Sequence, residues 1–150
     1  MANIDLDKLK KLREETGISV SECRQALEEA GGDYKKALEI LNSKAAEKAA
    51  KKADRETGEG LVETYVHARK IGVMVMLLCE TDFVAKTDEF KNLAHEIALQ
   101  IASMAPETVE ELLKQEFIKD PSKTIDQMVK EAIHKTGENI VVKQFVRYQI

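Results

Sequence analysis

The sequence lacks several features that would place it in a common functional class. Among its 150 residues there is no tryptophan, there are only two prolines and two cysteines, and aromatic residues make up 5%. No apolar run approaches the roughly 18 residues that suggest a membrane-spanning helix, and no charged and then apolar leader opens the chain. We therefore expect a cytoplasmic protein that does not enter a membrane.

The residue types that carry most catalytic and metal chemistry are sparse and scattered. Cys23 and Cys79 fall at apolar positions of a predicted helix and a predicted strand, without a Cys-x-x-Cys spacing, and are expected to be buried and reduced. His67, His95 and His134 lie in separate predicted elements, none at ligand spacing from a cysteine or carboxylate. Since no glycine-rich phosphate loop is present either, we expect no catalytic residues, no metal and no cofactor, and a protein that is not an enzyme.

Charged residues are abundant but nearly balanced. They make up 33% of the chain and leave a net charge of -4, which disfavours binding nucleic acid over the whole surface. The basic stretch 44–55 is rich in alanine and lysine and has no aromatic side chain to stack on bases, so it predicts a solvated helical spacer and not an RNA-binding strip. The expected partner is a protein, with no direct contact to nucleic acid.

Apolar residues recur at helical spacing in three segments near the start of the chain. Glycines mark the ends of the first two, Ser19 or Ser21 can cap the second, and Asp33 can cap the third. The pattern predicts a three-helix module with its helical spacer over residues 1–55, similar to a ubiquitin-associated bundle. Its core is small, so docking on another surface is expected to stabilise it.

The remaining residues, 56–150, are predicted to form an α+β core domain that also dimerises. Leu61 to Ala68 and Ile71 to Cys79 form a predicted antiparallel hairpin, and Ile140 to Ile150 a third strand. The second of these is apolar on both faces, so we expect both to be covered. Helices between the hairpin and the last strand, one of them capped by Asp120-Pro121-Ser122, are predicted to cover this three-stranded antiparallel sheet.

A distinctive corner joins the apolar strand to the next helix, which Thr87 or Asp88 can cap. Here Phe83 follows Asp82, and a large apolar ring beside a carboxylate between two rigid elements can act as a wedge in a partner. The alternatives are structural. Phe83 can be a core aromatic residue, and Asp82 can cap a helix.

This corner is one of five blocks that follow the chain from end to end. They are Leu12-Arg13-Glu14-Glu15-Thr16-Gly17 with Cys23-Arg24-Gln25-Ala26-Leu27, Gly32-Asp33, Arg69-Lys70-Ile71-Gly72-Val73, Thr81-Asp82-Phe83-Val84-Ala85-Lys86 and Gly137-Glu138-Asn139-Ile140. In this order they resemble the elongation factor Ts family, and the chain resembles its short bacterial type. Members of that family exchange the nucleotide of the translational GTPase elongation factor Tu.

The resemblance implies a mechanism for the corner. Asp82 and Phe83 would enter the GTPase domain near its magnesium and phosphate site, so that GDP leaves and GTP can enter, while Thr81 and Val84 would hold the corner. It also implies a second contact from the loop after the first helix, with matching residues Leu12, Ile18 and Val20, although Leu12 can equally be a core residue. This chain has Val20-Ser21 where many family members have two methionines.

Two further expectations concern assembly and alternatives. Three strands leave two open edges, and longer family members carry a second, similar sheet subdomain, so we predict a homodimer in which a second subunit takes that place. The rival to nucleotide exchange is a ubiquitin-associated-type adaptor module on a dimerising core. It predicts that residues 1–55 alone reproduce all binding.

Overall fold

The structure is a computed structural model that describes residues 3–150, so that the first two residues of the predicted N-terminal module lie outside it. The elements are α1 (Leu6–Thr16), α2 (Val20–Glu29), α3 (Tyr34–Lys52), β1 (Glu59–His67), β2 (Ile71–Cys79), α4 (Asp82–Ala85), α5 (Asp88–Met104), α6 (Val109–Lys114), β3 (Glu116–Phe117), β4 (Asp120–Thr124), α7 (Ile125–Thr136) and β5 (Val141–Gln149). No helix among the described residues is long and apolar enough to cross a membrane.

The first three helices form a small bundle with its own core. Side chains of Asp5, Ser19 and Asp33 accept hydrogen bonds from backbone N–H groups in the first turns of α1, α2 and α3. Of the two serines that the sequence offers, Ser19 and not Ser21 caps α2. Gly17 ends α1 in the left-handed conformation, with φ 66°. The bundle core consists of Leu12, Ile18, Cys23, Ala26, Leu27, Ala37 and Leu41.

The second half of the chain is built on a three-stranded antiparallel sheet in the order β1-β2-β5. Helix α5 packs on β1 and β2, and its buried residues face the inward side chains of the central strand. The α+β fold class is confirmed. Cys79 on β2 and Cys23 on α2 are buried and free, as the sequence predicts.

The segment before α7 differs from the sequence prediction. Asp120–Thr124 is not a helix cap but strand β4, which pairs with β3. Helix α7 begins five residues later than Asp120, at Ile125, because Thr124 and Gln127 form a reciprocal capping box there. Gln127 Oε1 accepts from the Thr124 N–H at 2.8 Å, which fixes the start of the helix.

The apolar strand β2 is covered on one face only, so the prediction of two covered faces is wrong for the single chain. Val73, Val75 and Leu77 point into the core. Met74, between two of them, is 50% exposed, because side chains alternate between the two faces of a strand and α5 packs on the other face of β2. The uncovered face of the sheet consists of Val62, Thr64, Val66, Met74, Met76, Gln144, Val146 and Tyr148.

The basic stretch 44–55 is helical in its first part, but it is not fully solvated. Helix α3 packs on α7, and Ala49 belongs to the same buried cluster as Val129 and Ile133. The small alanine side chains allow the two helices to approach closely, which a count of large apolar residues misses. The division into modules 1–55 and 56–150 stays a prediction.

Candidate functional site

Phe83 projects from the corner between β2 and α5. It lies on α4, a single helical turn of four residues where the sequence predicts only a corner between strand and helix. Its side chain is 80% exposed, whereas the neighbouring Phe90 is buried. The interpretation of Phe83 as a core aromatic is therefore wrong, and an unpaired aromatic ring is held in solvent where it is available to a partner.

The carboxylate of Asp82 lies beside this ring in the first turn of α4. The N-cap of the turn is Thr81, whose Oγ1 accepts from the Val84 N–H at 3.4 Å, so the capping role considered for Asp82 belongs to its neighbour. Asp82 is exposed and pairs with Lys86 at 3.2 Å. Since an exposed pair of this kind is weak, the carboxylate is free to make other contacts.

The corner is anchored from below on both sides of α4. Val84 is half-buried against the main core, and Ala85 is buried. Cys79 Sγ donates to the Thr81 carbonyl at 3.1 Å, and burial raises the pKa of this thiol, which keeps it protonated near neutral pH. These contacts therefore fix the position of α4, which carries the exposed Phe83 ring.

Glu138, in the loop before β5, reaches the same corner. Its Oε1 accepts from the Glu80 and Thr81 N–H groups at 3.1 and 2.9 Å, and its Oε2 accepts from Thr81 Oγ1 at 2.6 Å. The sequence marked Gly137-Glu138-Asn139-Ile140 only through the family resemblance. A contact between residues 57 positions apart leaves no periodic signal, so sequence reasoning missed it.

The structure corrects two of the three contact residues expected in the N-terminal module. Leu12 and Ile18 are 0% and 5% exposed and pack inside the bundle core. Their apolar character follows from that packing, and neither side chain can reach a partner without unfolding. Val20, at the start of α2, is 48% exposed and is the one of the three that lies at the surface.

A three-residue ionic cluster joins the N-terminal module to the core. Glu22 Oε1 lies 2.6 Å from Lys48 Nζ and 3.0 Å from His134 Nε2, and the latter two atoms are 2.9 Å apart. Glu22 lies 112 residues from His134 along the chain and meets it only in the fold, so sequence spacing gave no sign of this contact. We name these three residues the module latch.

The module latch strongly perturbs the titration of Glu22. The hydrogen bond from Lys48 is the main reason that its pKa falls from 4.5 to about 2. Contacts with His134 and Ser19 lower the pKa further, against partial burial, which raises it. A depressed carboxyl pKa means that the contribution of Glu22 to stability is fully present above pH 4.5 and is lost as the pH falls towards 2.

Lys48→Met is therefore expected to destabilise the protein near neutral pH and to have a much smaller effect near pH 2, where most of the contribution of Glu22 to stability is already lost. Because Glu22 and Lys48 remain 31% and 41% exposed, solvent screening limits the loss to about 1 kcal/mol. Urea denaturation at pH 7 and near pH 2 measures the difference. The control is Lys44→Met, on the same helix as Lys48. It removes a surface ion pair with Glu29 of α2. An equal loss at both pH values would exclude this coupling.

Comparison with known proteins agrees with these features. Residues 80–150 match the family described as Elongation factor TS. The chain is 39% identical to elongation factor Ts of Thermodesulfovibrio yellowstonii (95% of this chain, 94% of the relative), 41% identical to that of Coprothermobacter proteolyticus (95% of both) and 42% identical to that of Fervidobacterium nodosum (98% of both). The chain is thus a member of a class of translation elongation factors. It belongs to the elongation factor Ts family.

The same alignments show that this chain is internally shorter than its relatives. They extend over 186 to 193 positions, more than the 150 residues present here. The relatives therefore contain internal residues without a counterpart in this chain.

Proposed function

We propose that this protein is a guanine-nucleotide exchange factor for elongation factor Tu, which promotes GDP release and GTP rebinding during translation elongation. The observation that supports this most directly is the exposed Phe83 ring on an anchored turn, with the Asp82 carboxylate beside it. We place this action in the bacterial cytosol. No covalent bond is made or broken, since the protein would act only by binding.

The energetics limit what the corner can do alone. An exchange factor must bind the empty GTPase more tightly than the loaded one, and the same coupling energy then weakens nucleotide binding. Loosening a nucleotide about a thousandfold requires about 4 kcal/mol. Since burial of one phenylalanine side chain gives about 1.5–3 kcal/mol, other contacts must supply the rest.

Each residue of the corner has a role in this proposal. Phe83 would act as a wedge between side chains of the GTPase domain. Asp82 would bring a negative charge towards the magnesium and phosphate site and weaken its hold on GDP. Thr81 and Val84 would keep the turn in place, while Val20 offers an apolar surface residue for the contact from the N-terminal module.

Release of fluorescently labelled GDP from purified elongation factor Tu tests the proposal. Adding this protein should accelerate release, with saturation as its concentration rises. It should not accelerate release from a different translational GTPase under the same conditions. An unchanged release rate from elongation factor Tu at micromolar concentrations would contradict the function.

We further propose a homodimer in which two copies pack their uncovered sheet faces together. The eight side chains of this face carry no charge, although 33% of the residues in the chain are charged. Val62, Met74, Met76 and Val146 line a shallow apolar groove at its centre. An uncharged apolar face can meet its own copy without like-charge repulsion, as in two-layer sheet packing, and this covers the second face of β2.

Met74→Glu is expected to convert such a dimer into a monomer, because it places a charge at the centre of the apolar interface. Light scattering or sedimentation at micromolar concentration should show the molar mass fall by half. Val20→Glu serves as the control, since Val20 and Met74 are equally exposed at 48% and 50% but Val20 lies on α2. A monomeric wild-type protein would contradict the proposed dimer.

A further inference from the structure

Glu138 accepts three hydrogen bonds at the start of the corner, two from Thr81 and one from Glu80. One carboxylate oxygen accepts from two consecutive backbone N–H groups, those of Glu80 and Thr81, and the other accepts from the Thr81 hydroxyl. A carboxylate that accepts several such bonds forms a strong and geometrically specific anchor. The position and the side-chain orientation of Thr81 are thus fixed from outside its own segment.

The orientation of Thr81 in turn determines α4. While its hydroxyl donates to Glu138, Thr81 Oγ1 accepts from the Val84 N–H and caps the turn. A helix of four residues cannot persist alone, because nucleation is unfavourable and so short a segment gains few hydrogen bonds. The direction of the Phe83 side chain therefore depends on the bond between Glu138 and Thr81.

The anchor is reciprocal and extends to the segment between α3 and β1. Glu80 Oε1 accepts from the Asn139 N–H at 2.7 Å, so the two loops exchange side-chain to backbone bonds. Asn139 Nδ2 donates to the Arg55 carbonyl at 3.0 Å, and the Arg55 guanidinium donates to the Gly137 carbonyl at 3.3 Å. The loop that carries Glu138 is thereby held on both sides.

We propose that Glu138 is a positioning residue for nucleotide exchange. It orders α4 in the free protein, so that Phe83 meets the GTPase in the orientation in which it acts. This inference rests on the proposed exchange function. Without Glu138 the ring would still be present, but the corner would have to be ordered during binding, which consumes energy otherwise available to displace the nucleotide.

The test compares Glu138→Ala with the wild type in GDP release from elongation factor Tu, over a range of concentrations. We expect Glu138→Ala to lower the maximal release rate about tenfold, because ordering the corner within the complex then consumes energy that displaces GDP in the wild-type complex. A loss of folded protein would instead raise the concentration needed for half-saturation and leave the maximal rate unchanged. The shape of the saturation curve therefore separates positioning from a general loss of stability.

Two further variants sharpen the experiment. Glu138→Gln keeps one oxygen for the two backbone N–H groups, so its maximal rate should exceed that of Glu138→Ala. If Glu138→Ala does not fold, Glu138→Gln is compared with the wild type instead. Glu131→Ala removes a half-buried carboxylate that pairs with Lys123 at 3.4 Å, and it should leave the maximal rate unchanged.

Combination with Phe83→Ala tests whether Glu138 acts through the ring. The double variant should release GDP no more slowly than Phe83→Ala alone, since the ring that Glu138 positions is already absent. If Phe83→Ala is impaired and Glu138→Ala and Glu138→Gln both reach the wild-type maximal rate, the positioning role is wrong and the exchange function stands. If the wild-type protein itself accelerates nothing, the exchange function fails first.

Discussion

Replacing Phe83 with alanine is expected to lower the maximal acceleration of GDP release from elongation factor Tu by about 10- to 150-fold, which corresponds to the 1.5–3 kcal/mol from burying a phenylalanine side chain. The ring is 80% exposed in the free protein, so its removal should leave the free energy of unfolding almost unchanged. Fluorescent GDP release and urea denaturation measure the two quantities on the same preparation.

Leu6→Ala is the matched control for this substitution. Leu6 is 76% exposed, close to the value for Phe83, and lies at the start of α1, away from the corner. It should retain the wild-type rate. Wild-type acceleration by Phe83→Ala would remove the wedge from the mechanism, and an equal loss in Leu6→Ala would show that the effect is not specific to the corner.

Gly60→Ala is expected to have the largest effect on stability, a loss of about 2–5 kcal/mol from backbone strain together with overpacking. Gly60 lies on β1 with φ +146°, a conformation that residues with a side chain rarely adopt. An added Cβ would lie 2.2 Å from the Leu77 carbonyl oxygen and 2.8 Å from Leu78 Cα. Both are backbone atoms of the paired strand and cannot rotate away.

Gly58→Ala provides the comparison for that prediction. Gly58 precedes β1 by one residue, has no atoms within 4 Å of an added Cβ and does not need a positive φ. Urea denaturation followed by circular dichroism should therefore show a clear loss for Gly60→Ala and little change for Gly58→Ala. Similar stability of the two variants would mean that β1 adjusts its register at Gly60, contrary to the pairing of Gly60 with Leu78.

The corner proposed for nucleotide exchange and the sheet face proposed for dimerisation both depend on strand β2. Alternate residues of β2 face the core and the uncovered sheet face, and its end leads into the corner that carries Phe83. Inward residues such as Val75 and Leu77 hold the strand against α5. Substitutions of Met74, on the opposite face, should therefore alter dimerisation without displacing the corner.

Local sequence patterns predicted most elements because the interactions behind them are local. The caps Ser19 and Asp33, the left-handed Gly17 and the alternation along β2 each involve residues within a few positions of one another. The strand β4 was missed, since its pairing with β3 gives no apolar alternation and Asp120-Pro121-Ser122 has the composition of a helix cap.

The candidate site was only partly predictable, because local sequence patterns do not show which apolar side chains the fold buries. The Thr81-Asp82-Phe83-Val84 segment was found through its resemblance to a family, and its local pattern left a core role for Phe83 open. Only packing showed that Phe83 is exposed while Leu12 and Ile18 are buried, because all three have side chains that the sequence alone would place in a core.

The sequence by itself determined the α+β class, the order of the main helices and of the three strands of the large sheet, and the family, since periodicity, capping and motifs act over short distances along the chain. The tertiary structure decided what lies between distant positions. It joined Glu22 to His134 across 112 residues and Glu138 to Thr81 across 57, and it left one face of β2 uncovered. Contacts of this kind follow from the packing of whole elements, which no local pattern encodes.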